Sequence, residues 1–111
     1  VVVSSRVHPG EPGASWMMRG ALEFLTGPSA KAARLRQHFV FKVVPMLNID
    51  GCVFGNNRCN LSGVDLNRQW SRPDMHLHPT IFHLKKTIRQ LMSGAQAGLN
   101  GEVLLYVTVL Y

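Results

Sequence analysis

The chain has 111 residues, 46% hydrophobic and 16% charged, so it suits one domain with a core and argues against global disorder. Twelve Lys and Arg stand against six Asp and Glu. The net +6 favours anionic partners, without choosing among nucleic acid, acidic peptides and membrane headgroups. The longest apolar runs, Val43 to Leu47 and Val103 to Val107, are far too short for a membrane span, and no repeat or heptad seam occurs.

Val1 to Ser5 is a β-branched run and reads as a buried strand. Arg6 to Gly13 is a loop dense in Pro and Gly. Ala14 to Thr26 reads as a helix, with Ser15 as a candidate cap and with Trp16 and Phe24 expected in the core. Gly27-Pro28 ends it, and Ser29 to His38 forms a second short helix capped by Ser29. His38 is an ordinary helix-end residue. Phe39 to Leu47 reads as a second strand.

Asn48 to Trp70 reads as a long loop, of a length that usually carries function. The loop continues from Arg72 to Pro79. Thr80 to Ser93 is helical, with Ile81, Leu84, Ile88, Leu91 and Met92 on one face. Gly94 to Gly101 is a link, and Glu102 to Tyr111 reads as a third strand. This alternation predicts an α/β layer with a largely parallel sheet. Strand-like runs at both ends suggest a piece of something larger.

The basic groups Lys31, Arg34, Arg36 and Lys85, Lys86, Arg89 sit at helical spacing, so they read as solvated helix faces. Few aromatics interleave with them, which weakens single-strand nucleic-acid binding. Cys52 and Cys59 lack the close pairing of a zinc knuckle, and two cysteines do not make a secreted disulfide scaffold. They read as reduced thiols of a cytosolic protein.

The sharpest local feature is His8-Pro9-Gly10-Glu11, directly after the first strand. A His and a Glu three positions apart in a Pro-Gly turn can aim at one shared point. Imidazole nitrogen and carboxylate oxygen both ligate zinc. The end of a strand is also the usual ligand edge of an α/β sheet. Taken alone, the motif is more often a surface turn with an incidental His.

The second feature is a loop rich in Arg and Asn. It runs Asn48-Ile49-Asp50-Gly51, then Gly55-Asn56-Asn57-Arg58-Cys59, then Asp65-Leu66-Asn67-Arg68-Gln69-Trp70. Guanidinium forks pair bidentately with carboxylates, and Asn67 can add a neutral donor. On composition the loop equally suits phosphate or RNA, although no glycine-rich phosphate motif supports that.

Together these motifs resemble the cytosolic carboxypeptidases, a branch of the zinc metallocarboxypeptidases. Several members remove glutamates from tubulin tails. Val40-Phe41-Lys42, Pro45-Met46-Leu47-Asn48 and His78-Pro79-Thr80 extend the resemblance over almost the whole chain.

The resemblance implies part of an α/β/α carboxypeptidase domain across residues 1–111, with a mostly parallel mixed sheet. It implies His8 and Glu11 as two of three Zn2+ ligands. Arg58 matches the arginine that polarises the scissile carbonyl and binds substrate there. Asn67 and Arg68 match the pair that holds the substrate's terminal carboxylate. The implied partners are acidic peptide or protein C-termini, tubulin tails among them, with no specific nucleic acid and no membrane. The implied location is cytoplasmic. Asp50 and Asp65 are expected to bond backbone amides in turns. Trp70 is expected to pack the loop, and His76, His78 and His83 to lie away from the metal.

Two departures matter. The family continues its last matching strand into an Asp-x-His-x-His type sequence, which supplies the third ligand. This chain reads Thr108-Val109-Leu110-Tyr111 there. The general-base Glu has no counterpart, since Glu102 precedes that strand. A Pro is also usual where Ile49 stands. The 111 residues alone are therefore expected to be inactive. A non-catalytic binder of acidic tails is the main rival reading, and a nucleic-acid binder driven by charge is a weaker one.

Overall fold

The computed structural model describes residues 1–93 and the backbone of strand 107–110. The expected link from Gly94 to Gly101 lies outside the described residues. The elements run β1 (Val2–Ser5), α1 (Gly13–Thr26), α2 (Ala30–His38), β2 (Lys42–Val44), α3 (Ile49–Phe54), a 3-10 turn (Leu66–Arg68), α4 (Pro79–Met92) and β3 (Val107–Leu110). The three strands form one parallel sheet in the order β2-β1-β3. Val3 pairs with Val43 on one side and Thr108 on the other. The largely parallel sheet expected from the sequence is present, and its three strands are parallel among the described residues.

Alternation along β1 distributes the layers. Val2 joins Val7, Leu47, Leu66, Ile81 and Leu84 in one buried cluster, which places α4 over its face. Ser5 points to the opposite face, where its hydroxyl donates to the Ala14 carbonyl of α1 at 2.9 Å. Helices on both faces give the α/β/α arrangement. Full burial of a side chain such as Leu47 or Ile81 contributes about 1.5–3 kcal/mol, so this cluster dominates the local energetics.

Several expectations are corrected. Trp16 is 67% exposed and Phe24 46% exposed, because α1 turns Ala14 and Met18 to the sheet instead. Trp16 meets the Arg19 guanidinium, 5.6 Å from its ring centroid. Ser15 does not cap α1; its hydroxyl accepts from Arg6 at 2.6 Å. Ser29 does cap α2, accepting from the Ala32 amide. The second strand is shorter than predicted. Phe39 closes α2, and the paired strand runs only from Lys42 to Val44.

The long loop is partly ordered. Asn48 caps α3 by accepting from the Gly51 amide, while Asp50 sits in its first turn. Met92 is exposed, unlike Ile81 and Leu84. Two basic residues are more than solvated charge. Arg36 donates to the Leu25 and Gly27 carbonyls, joining α2 to the end of α1. Lys85 donates to the Trp70 and Ser71 carbonyls. Trp70, expected to pack the loop, packs against the core cluster.

Candidate active site

The turn after β1 is held from three directions. Arg6 has a left-handed φ of 56°, and its guanidinium donates to the Pro9 carbonyl from Nε at 2.9 Å and Nη2 at 2.7 Å. The Gly10 amide donates to the Asn57 carbonyl at 2.7 Å. A Cβ at Gly10 would stand 2.2 Å from Asn57 Oδ1, so only glycine allows this approach. Gly51 similarly admits Pro9, whose Cγ would lie 2.5 Å from an added Cβ. Asn48 completes the joint: its Nδ2 donates to the Val7 carbonyl at 3.3 Å. The Asn-rich loop is thereby bonded directly to the His8 turn.

His8 is 3% exposed and stands between two carboxylates. Its Nδ1 lies 3.2 Å from Glu11 Oε1, and its Nε2 lies 3.1 Å from Asp65 Oδ1. Asp65 Oδ2 accepts from Arg58 Nε at 2.8 Å, and Oδ1 also accepts from the Asn67 amide at 2.9 Å. Burial pushes the Asp65 carboxyl up, yet the bonds from His8, the Asn67 amide and Arg58 outweigh it and hold it below its ordinary value. Asp65 is therefore an ionised acceptor that joins the imidazole to a guanidinium.

The donor chemistry fits a metal cation beside His8. In the tautomer that donates Nε2–H to Asp65, Nδ1 presents a lone pair toward Glu11. Two acceptors 3.2 Å apart need a proton or a cation between them. Imidazole nitrogen and carboxylate oxygen are both donor types that would hold zinc. Among the described residues no group of three His, Cys, Asp or Glu side chains converges on one point, so this is a pair of donors and not a whole site.

The remaining candidates are close in sequence and share the 3-10 turn. Asp65 caps it, and Asn67 and Arg68 occupy its end. The indole N–H of Trp70 donates to Asn67 Oδ1 at 3.0 Å. Arg68 is exposed and makes no ion pair among the described residues. His78 is buried and accepts from the Asp74 amide at the start of α4, while His76 and His83 are exposed. Cys52 and Cys59 are free thiols.

Asp65 and Arg6 are the residues that sequence reasoning undervalued. Asp65 does bond a turn amide, as expected, but its two oxygens also serve His8 and Arg58. The available signal was chemical: a buried ligating His needs a partner for its second nitrogen.

The structure thus brings the His8-Glu11 turn, which follows a parallel strand, together with the Asp65-to-Arg68 segment through the His8–Asp65 contact. The family model described as zinc carboxypeptidase matches residues 1–107. The chain belongs to the zinc carboxypeptidase family. It is 58% identical over 91 residues to cytosolic carboxypeptidase 1 of Xenopus laevis, which covers 82% of this chain and 7% of that protein. It is 55% identical over 92 residues to human cytosolic carboxypeptidase 4, covering 83% of this chain and 8% of that protein. A solved metallo-carboxypeptidase from Burkholderia cenocepacia is similar in structure, with a TM-score of 0.74 and 35% identity. That match covers 79% of this chain and 24% of the solved one. The chain thus spans less than a tenth of the length of these curated relatives.

Proposed function

We propose that residues 1–111 form the N-terminal part of a zinc metallocarboxypeptidase catalytic domain. The reaction is removal of C-terminal or side-chain glutamates from proteins such as tubulin. The observation that carries this reading is the Asp65 carboxylate, which bonds both His8 and Arg58 within the same motif that holds Asn67 and Arg68.

His8 and Glu11 would hold zinc through Nδ1 and Oε1. When bound, the metal supplies an activated water and a polarised carbonyl. Arg58 spends Nε on Asp65 and keeps its Nη groups for the oxygen on which negative charge develops. Asn67 and Arg68 hold the substrate's free carboxylate, so the bond cut is the one nearest that end. The +6 charge suits acidic substrates. The names of the relatives support a cytoplasmic setting, and among the described residues no helix is long and apolar enough to cross a membrane.

Among the described residues two donors face each other and none is assigned as general base, so the chain alone is catalytically inactive in this reading, since two donors hold zinc poorly. A second reading keeps the clamp without the chemistry: Arg58, Asn67 and Arg68 capture acidic tails. The test is incubation with zinc and a peptide ending in glutamates, free or C-terminally amidated. No turnover and selective binding of the free peptide are expected. Turnover that disappears in His8→Ala would overturn the inactivity, and equal binding of both peptides would overturn the clamp.

A further inference from the structure

Trp70 lies two residues beyond the Asn67-Arg68 pair, and the proposed chemistry assigns it no role. Its indole N–H points at Asn67 Oδ1, 3.0 Å away. An indole nitrogen donates and never accepts, so the amide atom facing it must be the oxygen. The other end of the amide is then its nitrogen, a donor. That is the orientation a carboxylate requires, since a carboxylate is only an acceptor. The flipped amide would turn its oxygen toward the ligand and repel it.

The indole is itself fixed. Its side chain packs against the core cluster. Its carbonyl, and that of Ser71 at 2.7 Å, accept from the Lys85 ammonium. Lys85 follows Leu84, which is buried in the same core. A continuous path therefore runs from α4 through Lys85 and Trp70 to the carboxamide.

We infer that Trp70, anchored by Lys85, is a positioning residue that orients the Asn67 amide for a terminal carboxylate. The inference rests on Asn67 belonging to the proposed clamp. Trp70→Phe keeps the ring and deletes the donor. Affinity for a peptide ending in free glutamate should fall by about 3–10-fold, the worth of one ordinary hydrogen bond. The amidated peptide should bind unchanged. In an Asn67→Ala background the same substitution should cost nothing further, because the pair acts as one unit.

A ligand-free readout accompanies this. In 15N-labelled protein the Trp70 indole proton should exchange slowly, and faster in Asn67→Ala, while that of exposed Trp16 should not change. If Trp70→Phe lowers the melting temperature enough to unfold the protein, Lys85→Met takes its place, with the same loss expected only when Asn67 is present. An equal loss in both backgrounds, or an indole signal indifferent to Asn67→Ala, overturns the positioning role. Wild-type binding indifferent to amidation removes the clamp itself, a result distinct from loss of the coupling alone.

Discussion

His8 Nε2 and Asp65 Oδ1 stand 3.1 Å apart although 57 positions separate them in sequence. In the tautomer that donates Nε2–H to Asp65, the other ring nitrogen presents its lone pair to Glu11. The same carboxylate takes Arg58 Nε. One residue therefore joins a candidate ligand to a candidate catalytic cation.

Replacing Asp65 with Asn tests that double duty. The side chain keeps its shape and loses its charge. Partners of ligating histidines typically affect metal affinity by about 10–100-fold, and a loss in that range is expected for zinc. Competition with a chromogenic chelator measures it. Arg58 should also become more mobile, which side-chain 15N relaxation reports. Zinc affinity equal to that of the unmodified chain would detach Asp65 from the metal site.

How much of this was legible follows from range. His8 and Glu11 are three residues apart in a Pro-Gly turn, so local chemistry suffices to pair them. The joint between Gly10 and Asn57 is invisible to spacing, because each glycine reads merely as a turn former until its neighbour is known. Trp16 and Phe24 show a related limit. Helical spacing groups residues on one face but does not say which face meets the sheet, and here small Ala14 and flexible Met18 pack inward. The loop from Asn48 hid a helix because α3 is six residues long and depends on an Asn cap and a left-handed Gly55 at φ 74°.

Two glycine substitutions should move stability in opposite directions. At Gly10 an added methyl meets Asn57 Oδ1 at 2.2 Å and the Asn57 carbonyl at 2.6 Å, backbone that cannot retreat cheaply. Gly10→Ala should destabilise by about 1–3 kcal/mol, the usual cost of forcing atoms into a filled space. Gly20 lies inside α1 with nothing within 4 Å of the added atom. Gly20→Ala should stabilise by about 0.5–1 kcal/mol through helix propensity. Urea midpoints at constant m-value decide both, and a neutral Gly10→Ala would mean that the contact with Asn57 is not kept in solution.

The start of α4 should carry a small acid sensitivity. Asp74 accepts from the His76 amide at 2.8 Å and the Leu77 amide at 2.9 Å. The bonds from Leu77 and His76 lower its carboxyl below the ordinary 3.8. A group depressed on folding binds fewer protons in the native state than in the unfolded one. Its stabilisation is complete above the unfolded value of 3.8 and is lost as pH falls through the lower folded value. Asp74→Asn retains an oxygen acceptor but cannot titrate. The variant should therefore match the unmodified protein's response near neutrality and lose less stability between pH 4 and the acid limit. Denaturation midpoints across that window measure the difference, and parallel acid limbs for the two proteins would show that the Asp74 turn does not contribute.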